Sequence, residues 1–224
     1  MAVSNIFAIH GVVAAAVDYT QITDGSVSPE SEILTALPSG HYQPLYRAVQ
    51  SQQPMIEFTT TEIARALAQV GLDGVDINGA SNLDLFEKKV VQRGTREADA
   101  SVVHNRYRCN EAFLYAASIS AAHNGTATAR MRGIPNYDGS VSPIVPAGSV
   151  ALGGTSDSDE QFGAGPVQVN GTAYNGVQQI DIDFGVVLYQ EGGESDIWDT
   201  FVAVQEIVPF FTITCTDTSR FLTL

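Results

Sequence analysis

The chain has 224 residues, 44% hydrophobic and only 16% charged, and its 11 Lys and Arg stand against 25 Asp and Glu for a formal charge of −14. So large an acidic excess excludes a nonspecific nucleic-acid binder, which needs surplus cations to displace counterions from phosphates. No apolar run approaches the ~20 residues of a membrane span, and two cysteines, Cys109 and Cys215, are too few for a disulfide framework.

Met1 to His10 carries neither the basic flank nor the cleavage site of a signal peptide, so the expectation is a soluble protein made in the cytosol. Ile6 to Val17 is rich in Val and Ala and reads as a strand. Asp24 to Gln43 contains Pro29, Pro38, Gly40 and several serines, and reads as a long loop. Met55 to Thr61 alternates around Ile56 and Phe58, the period of a strand. A helix follows, with Thr59 as cap and Glu62 as its reciprocal partner three residues on. Its apolar face is Ile63, Ala66, Leu67 and Val70, and Gly71 ends it. Asp73 to Asn82 reads as a loop, Leu83 to Val91 and Val102 to Arg108 as strands, and Glu111 to Ala122 equally as helix or strand.

Three later segments alternate with period two, the mark of half-buried antiparallel strands. In Thr126 to Arg132, Ala127, Ala129 and Met131 face one way, and Thr126, Thr128, Arg130 and Arg132 the other. In Val177 to Val186, Ile180, Ile182, Phe184 and Val186 oppose Asp181 and Asp183. Val208 to Thr216 ends the series, and Gly153 to Gly165 is a Gly/Ser/Asp loop. The fold class expected is mainly β, a sandwich or barrel with one or two short helices, in a single domain spanning residues 1–224.

The ends of the chain repeat each other. A shift of 155 residues lays Ala48-Val49-Gln50 on Ala203-Val204-Gln205, Pro54 on Pro209, Thr59 on Thr214, Arg65 on Arg220 and Leu67 on Leu222. The same shift carries Phe7 to Phe162, Val12 to Val167 and Tyr19 to Tyr174, so residues 5–67 and 160–222 read as two copies of one unit around a middle segment, 80–150. A separate identity, DGSVSP at Asp24 to Pro29 and Asp138 to Pro143, reads as two similar turns.

The middle segment is basic. Lys88, Lys89, Arg93, Arg96, Arg106, Arg108, Arg130 and Arg132 stand there against Glu97, Asp99 and Glu111, and the rest of the chain holds three bases and 22 acids. Such a division suits head-to-tail contact between copies, and heterologous contacts of that kind build rings or filaments. It suits a solvated surface with no partner equally well.

Signs of chemistry are few. His10, His41, His104 and His123 have no helical metal-pair spacing, and neither Cys-x-x-Cys, Gly-x-Ser-x-Gly nor a phosphate-cradling glycine loop occurs. Gly74 to Gly79 resembles a calcium loop, but its twelfth position is Leu85 instead of Glu. Asp157, Asp159 and Glu160 read as a solvated loop. Asp181 and Asp183 lack the third group a carboxylate pair needs for catalysis. The expectation is a protein that is not an enzyme and holds no cofactor or metal.

Several segments in order carry a family likeness: the apolar first strand, the serine-rich stretch ending in Ser39-Gly40 and Pro44, and Pro54-Met55-Ile56-Glu57-Phe58-Thr59-Thr60 leading into the helix. Ser118-Ile119-Ser120-Ala121, the strand Ala127 to Arg132, Asp138-Gly139, Pro143-Ile144 and the strand Ile180 to Gly185 complete it. In texture and order the chain resembles the tail tube proteins of tailed bacteriophages and the related tubes of contractile injection machines.

That resemblance implies a virion protein of the tail, made in the host cytoplasm. Its copies form stacked rings of six, or of three if each chain holds two units, with six preferred because the middle segment has no second copy. Rings stack through the N-terminal segment and the stretch from about Gly25 to Pro44. Other virion proteins are partners. The lumen is acidic, and DNA passes it as cargo that does not adhere. Asp181 and Asp183 face the lumen or a ring interface, and Arg130 and Arg132 pair with acids of a neighbouring copy. The competing expectations are a decoration, neck or baseplate protein and a carbohydrate-binding sandwich.

Overall fold

The computed structural model describes residues 6–36, 46–79, 81–91, 95–96, 98–152, 161–193 and 197–216. Two sheets face each other. One runs β13(Val145–Val150), β10(His104–Cys109), β8(Leu83–Val91), β1(Ile6–Ala14), β2(Val17–Tyr19), with β9(Thr95–Arg96) beside β8. The other runs β19(Phe210–Cys215), β16(Val177–Asp183), β11(Ala112–Ala122), β12(Thr128–Pro135), β6(Met55–Thr60), β3(Ile22–Ser28), with β7(Val75–Ile77) also on β11. Three two-stranded ribbons complete the set: β4(Ser31–Ala36) with β5(Tyr46–Gln52), β14(Val167–Val169) with β15(Thr172–Tyr174), and β17(Val186–Gly192) with β18(Asp199–Ile207). The protein is thus mainly β, with open sheets and, among the described residues, one helix, α1(Ile63–Val70).

The core between the sheets follows from alternation. Val12, Ala14, Leu83 and Leu85 project from the first sheet, and Ile56, Phe58, Leu114, Ala129 and Met131 from the second. The fit is close: a Cβ on Gly133 would stand 2.4 Å from Leu83 Cδ2. Helix α1 closes one side with Ile63, Ala66 and Val70, which share a face at spacings of three and four. Cys109 is buried in this core, which pushes its thiol pKa up, and neither cysteine forms a disulfide. Strand β11 explains the undecided reading of 111–122. Its first five residues are buried on both faces, Leu114 in this core and Phe113 and Tyr115 in a second cluster, so no polar alternation survives.

Several expectations are corrected. The long loop over 24–43 is strand through most of its described part, because β3 pairs with β6 and β4 with β5; residues 37–45 lie outside the described residues. Within it, Asp24 to Ser28 of the first DGSVSP are extended in β3, whereas the second is the expected turn, in which Asp138 Oδ1 accepts the Ser140 and Val141 N–H groups. Asp73 to Asn82 contains β7. Thr59 does not cap the helix: it is held in β6 opposite Arg130, and Glu62 itself stands at the N-cap, its N–H donating to Thr60 Oγ1. Val177 to Val186 is two strands, parted at Phe184-Gly185. Most of the loop read over 153–165 lies outside the described residues.

The 155-residue shift maps ladder onto ladder. Val12↔Tyr19 becomes Val167↔Tyr174, Ile22↔Thr60 becomes Val177↔Cys215, and Ser31↔Gln52 becomes Val186↔Ile207. The bulges shift too, from Ile22/Asp24 to Val177/Gln179 and from Glu32/Ile33 to Val187/Leu188. Residues 6–60 and 161–215 therefore share one strand plan, called here the first and second units.

The two copies of the first hairpin differ in their turn residues. The first unit bends at Ala15 and Ala16, with φ of 48° and 66°, and the second at Asn170 and Gly171, with φ of 49° and 76°. Asn and Gly accept this left-handed backbone, whereas alanine is strained there by roughly 1–2 kcal/mol per residue. Grafting the second turn onto the first, Ala15→Asn with Ala16→Gly, is expected to stabilise the protein by about 1 kcal/mol, read as a rise in the urea midpoint at unchanged slope.

Candidate assembly surface

The second unit is received by the rest of the fold at two places. One edge of β11 is shared between two strands: β7 pairs with Ala112–Leu114, and β16 takes over from Ser118 to Ala122. Here the structure places Asp181 and Asp183, opposite Ser120 and Ser118. Asp181 accepts hydrogen bonds from Ser120 Oγ at 2.6 Å and from Gln179 Nε2, which hold its carboxyl below the usual range. Asp183 Oδ1 accepts the Gly185 N–H at 2.7 Å. Asp181 thus ties the second unit to β11, whereas Asp183 closes the turn out of its own strand.

The second place is a seat for a ribbon. Val202 of β18 packs on Phe113, Tyr115 and Ile134, with Leu188 and Val204 against the same cluster. Its end is pinned by Trp198, whose Nε1–H donates to Gln52 Oε1 at 2.9 Å and whose ring lies 5.0 Å from that of Tyr137. The corresponding ribbon of the first unit, β4–β5, has no such seat among the described residues. Ile33 and Val49, the counterparts of Leu188 and Val204, are 58% and 42% exposed.

Beyond the seat, the outer face of the seven-stranded sheet is polar. Residues paired across the ladders share a face, which puts Asp24, Glu57, Asp181 and Asp183 there with Arg130, Arg132, Ser118, Ser120 and Thr212. Four carboxylates against two guanidinium groups leave it acidic. Arg130 and Arg132 both reach Glu57, at 2.6 and 2.7 Å, so each has an acid within its own chain. The β6–β12 register dictates this by setting Glu57 opposite Arg132. Burial raises the Glu57 pKa, but the two arginines outweigh it and hold it below the usual 4.5.

A depressed carboxylate pKa contributes stability that is full above its unfolded value and is lost as the pH falls through the folded value. The native protein is therefore expected to lose stability below about pH 4.5 more steeply than Glu57→Gln. The difference is about 0.5–1 kcal/mol, small because the arginines are partly solvated, and urea midpoints between pH 3 and 7 measure it.

Three more residues of the basic middle are engaged within the chain. Arg108 holds buried Asp84 through two bonds, at 2.8 and 2.6 Å, with Arg106 at 4.0 Å, and Lys88 pairs with Asp99. Lys89 lies in β8, its N–H donating to His104 Nδ1. Arg96 lies in β9, its side chain outside the described residues, as is all of Arg93. Sequence reasoning missed Glu57 and Asp84 as the acids that pair with four arginines of this segment. The alternation of Met55 to Thr60 does signal an outward Glu57; nothing local points to Asp84. It also missed the ribbon residues, since β4 fell inside the expected loop. Among the described residues no cluster of His, Cys, Asp and Glu is arranged to hold a metal ion, and no helix is long and apolar enough to cross a membrane.

No protein-family model matches the chain, and no curated protein matches it significantly.

Proposed function

We propose that this chain is a structural protein of a phage tail that self-assembles into stacked rings, a tube with an acidic lumen through which DNA passes without adhering. One observation carries the reading: the fold receives the second unit by continuing a sheet and seating a ribbon, and the two free edges of that sheet offer more of the same. Among the described residues the outer edges of β3 and β19 are unpaired. Six antiparallel strands separate them inclusively, so β3 of one copy meets β19 of the next antiparallel. The unseated ribbon β4–β5 then overlies the neighbour's β19, where Phe210 is 58% exposed on the outer face. Ring closure removes sheet edges that otherwise invite uncontrolled pairing. The acidic outer face suits a wall that must not hold a polyanion.

Negative-stain electron microscopy of the purified protein tests this. Rings or rods with a central pore are expected, and their rotational symmetry separates six chains from three. Ile33→Asp with Val49→Asp is expected to abolish them while leaving thermal unfolding within about 0.5 kcal/mol of the parent, because both side chains are already solvated. Monodisperse particles at every concentration and salt overturn the proposal.

A further inference from the structure

The shared strand plan exposes an unfilled space. In the first unit Val12, Ala14, Ile56 and Phe58 are buried, each at most 1% exposed. Strand β8 covers them. It adds to the outer edge of β1 with Leu85 opposite Val12 and Leu83 opposite Ala14. Leu85 enters the space over β3, where a Cβ on Gly25 would lie 3.6 Å from its Cδ1. Leu83 presses on Gly133.

Shifted by 155 residues, these positions are Val167, Val169, Phe211 and Ile213. They line an open apolar cleft of about 540 Å³ together with Ile180 and Ile182. Phe211 is 59% exposed where Ile56 is fully buried. The outer edge of β14, the counterpart of the β1 edge that receives β8, has no partner strand among the described residues. A rigid apolar groove beside a free strand edge is the arrangement that captures an extended chain, since main-chain bonds supply affinity and alternate side chains fill the groove.

We infer that β14 and this cleft bind an extended strand of a partner protein, added antiparallel to β14, with large aliphatic side chains at alternate positions. The register is set by the interface the fold already makes once between β1 and β8. A leucine two residues before another occupies the groove, the first opposite Val169 and the second opposite Val167, as Leu83 and Leu85 stand opposite Ala14 and Val12. The intervening residue faces Gln168 and is polar, as Asp84 is opposite Val13. The chain's own β8 cannot serve a second copy, because it is central in its sheet between β1 and β10. This site lies on the opposite face of the sheet from the acidic surface and does not depend on ring formation.

The test uses the full chain and a synthetic peptide with the sequence of residues 81–91, Ser-Asn-Leu-Asp-Leu-Phe-Glu-Lys-Lys-Val-Val. Hydrogen exchange is followed by mass spectrometry. The peptide is expected to slow exchange of the β14 amides by on the order of tenfold, saturably, with no change at β1, whose edge is filled. The same peptide with both leucines replaced by aspartate is expected to do nothing. Absence of protection at β14 with peptide at ~1 mM, a concentration that detects even weak binding, overturns the inference. So does equal protection by the aspartate peptide. Dimers in sedimentation that Phe211→Asp dissolves, with β14 already protected in the free protein, assign the cleft to a second copy and overturn it as well. Rings that form with or without the peptide leave the assembly proposal standing whichever way this site is decided.

Discussion

Replacing Glu62 by leucine is expected to cost about 3–5 kcal/mol, the range for removing one partner of a buried ionic network. The Glu62 side chain is fully buried. Its Oε2 accepts the Thr20 and Gln21 N–H groups at 2.9 and 3.2 Å, and its Oε1 lies 2.8 Å from Arg65 Nη1. Arg65 in turn donates to the Asp18 carbonyl. One carboxylate thus ties the end of β2 to the first turn of α1, where the sequence has no ordinary cap. Leucine fills the volume but leaves two backbone donors without their acceptor and takes the carboxylate from Arg65, and each buried unmet group costs about 1–3 kcal/mol. Glu62→Gln keeps an acceptor for the backbone and loses only the charge, so about half the cost is expected. Urea unfolding at pH 7 measures both, and equal midpoints for native protein and Glu62→Leu contradict this account.

Truncating Phe58 to alanine is expected to cost about 3–5 kcal/mol, whereas the same truncation at its counterpart Ile213 should cost less than about 1 kcal/mol. Phe58 is 1% exposed and its ring lies tilted at 5.3 Å from that of buried Tyr19, so its loss leaves a cavity between the sheets. Ile213 has the same place in the strand plan but is only half-buried and lines an open cleft, so its truncation leaves no enclosed cavity. If the two substitutions cost the same, the cleft is filled in solution. Repeating the Ile213→Ala measurement with the 81–91 peptide present is expected to raise its cost, because the peptide makes that side chain part of an interior.

How much of this was legible in the sequence can be judged residue by residue. The fold class was, because alternation in Met55 to Thr61, Thr126 to Arg132 and Val177 to Val186 records which side of a strand meets the core, and that record is local. Leu83 to Val91 and the apolar face of α1 were legible for the same reason. The offset of 155 read from scattered identities coincides with the offset between the ladders, bulges included, since one strand plan needs small, apolar and turn residues at the same places. The candidate surface was legible only in part. Asp181 and Asp183 stood out as an outward pair, but their serine partners lie about 60 positions away along the chain.

What the sequence by itself determined is the set of faces: which side chains of each strand are apolar, where the helix ends, and that two segments share one pattern. What only the tertiary structure decided is which faces are covered. DGSVSP shows the difference, since one hexapeptide is drawn into a strand where β6 offers its edge and closes a turn where no strand does and Asp138 accepts the Ser140 and Val141 N–H groups. Glu57 shows it again, because a distant register supplies an acid in the same chain to two arginines whose partner the sequence alone could not place. The two units show it most fully. Their ladders coincide, yet one is a closed core and the other an open cleft, because β8 reaches one of them. Burial is a property of what lies across the gap, and nothing in the local pattern of a strand records its absence.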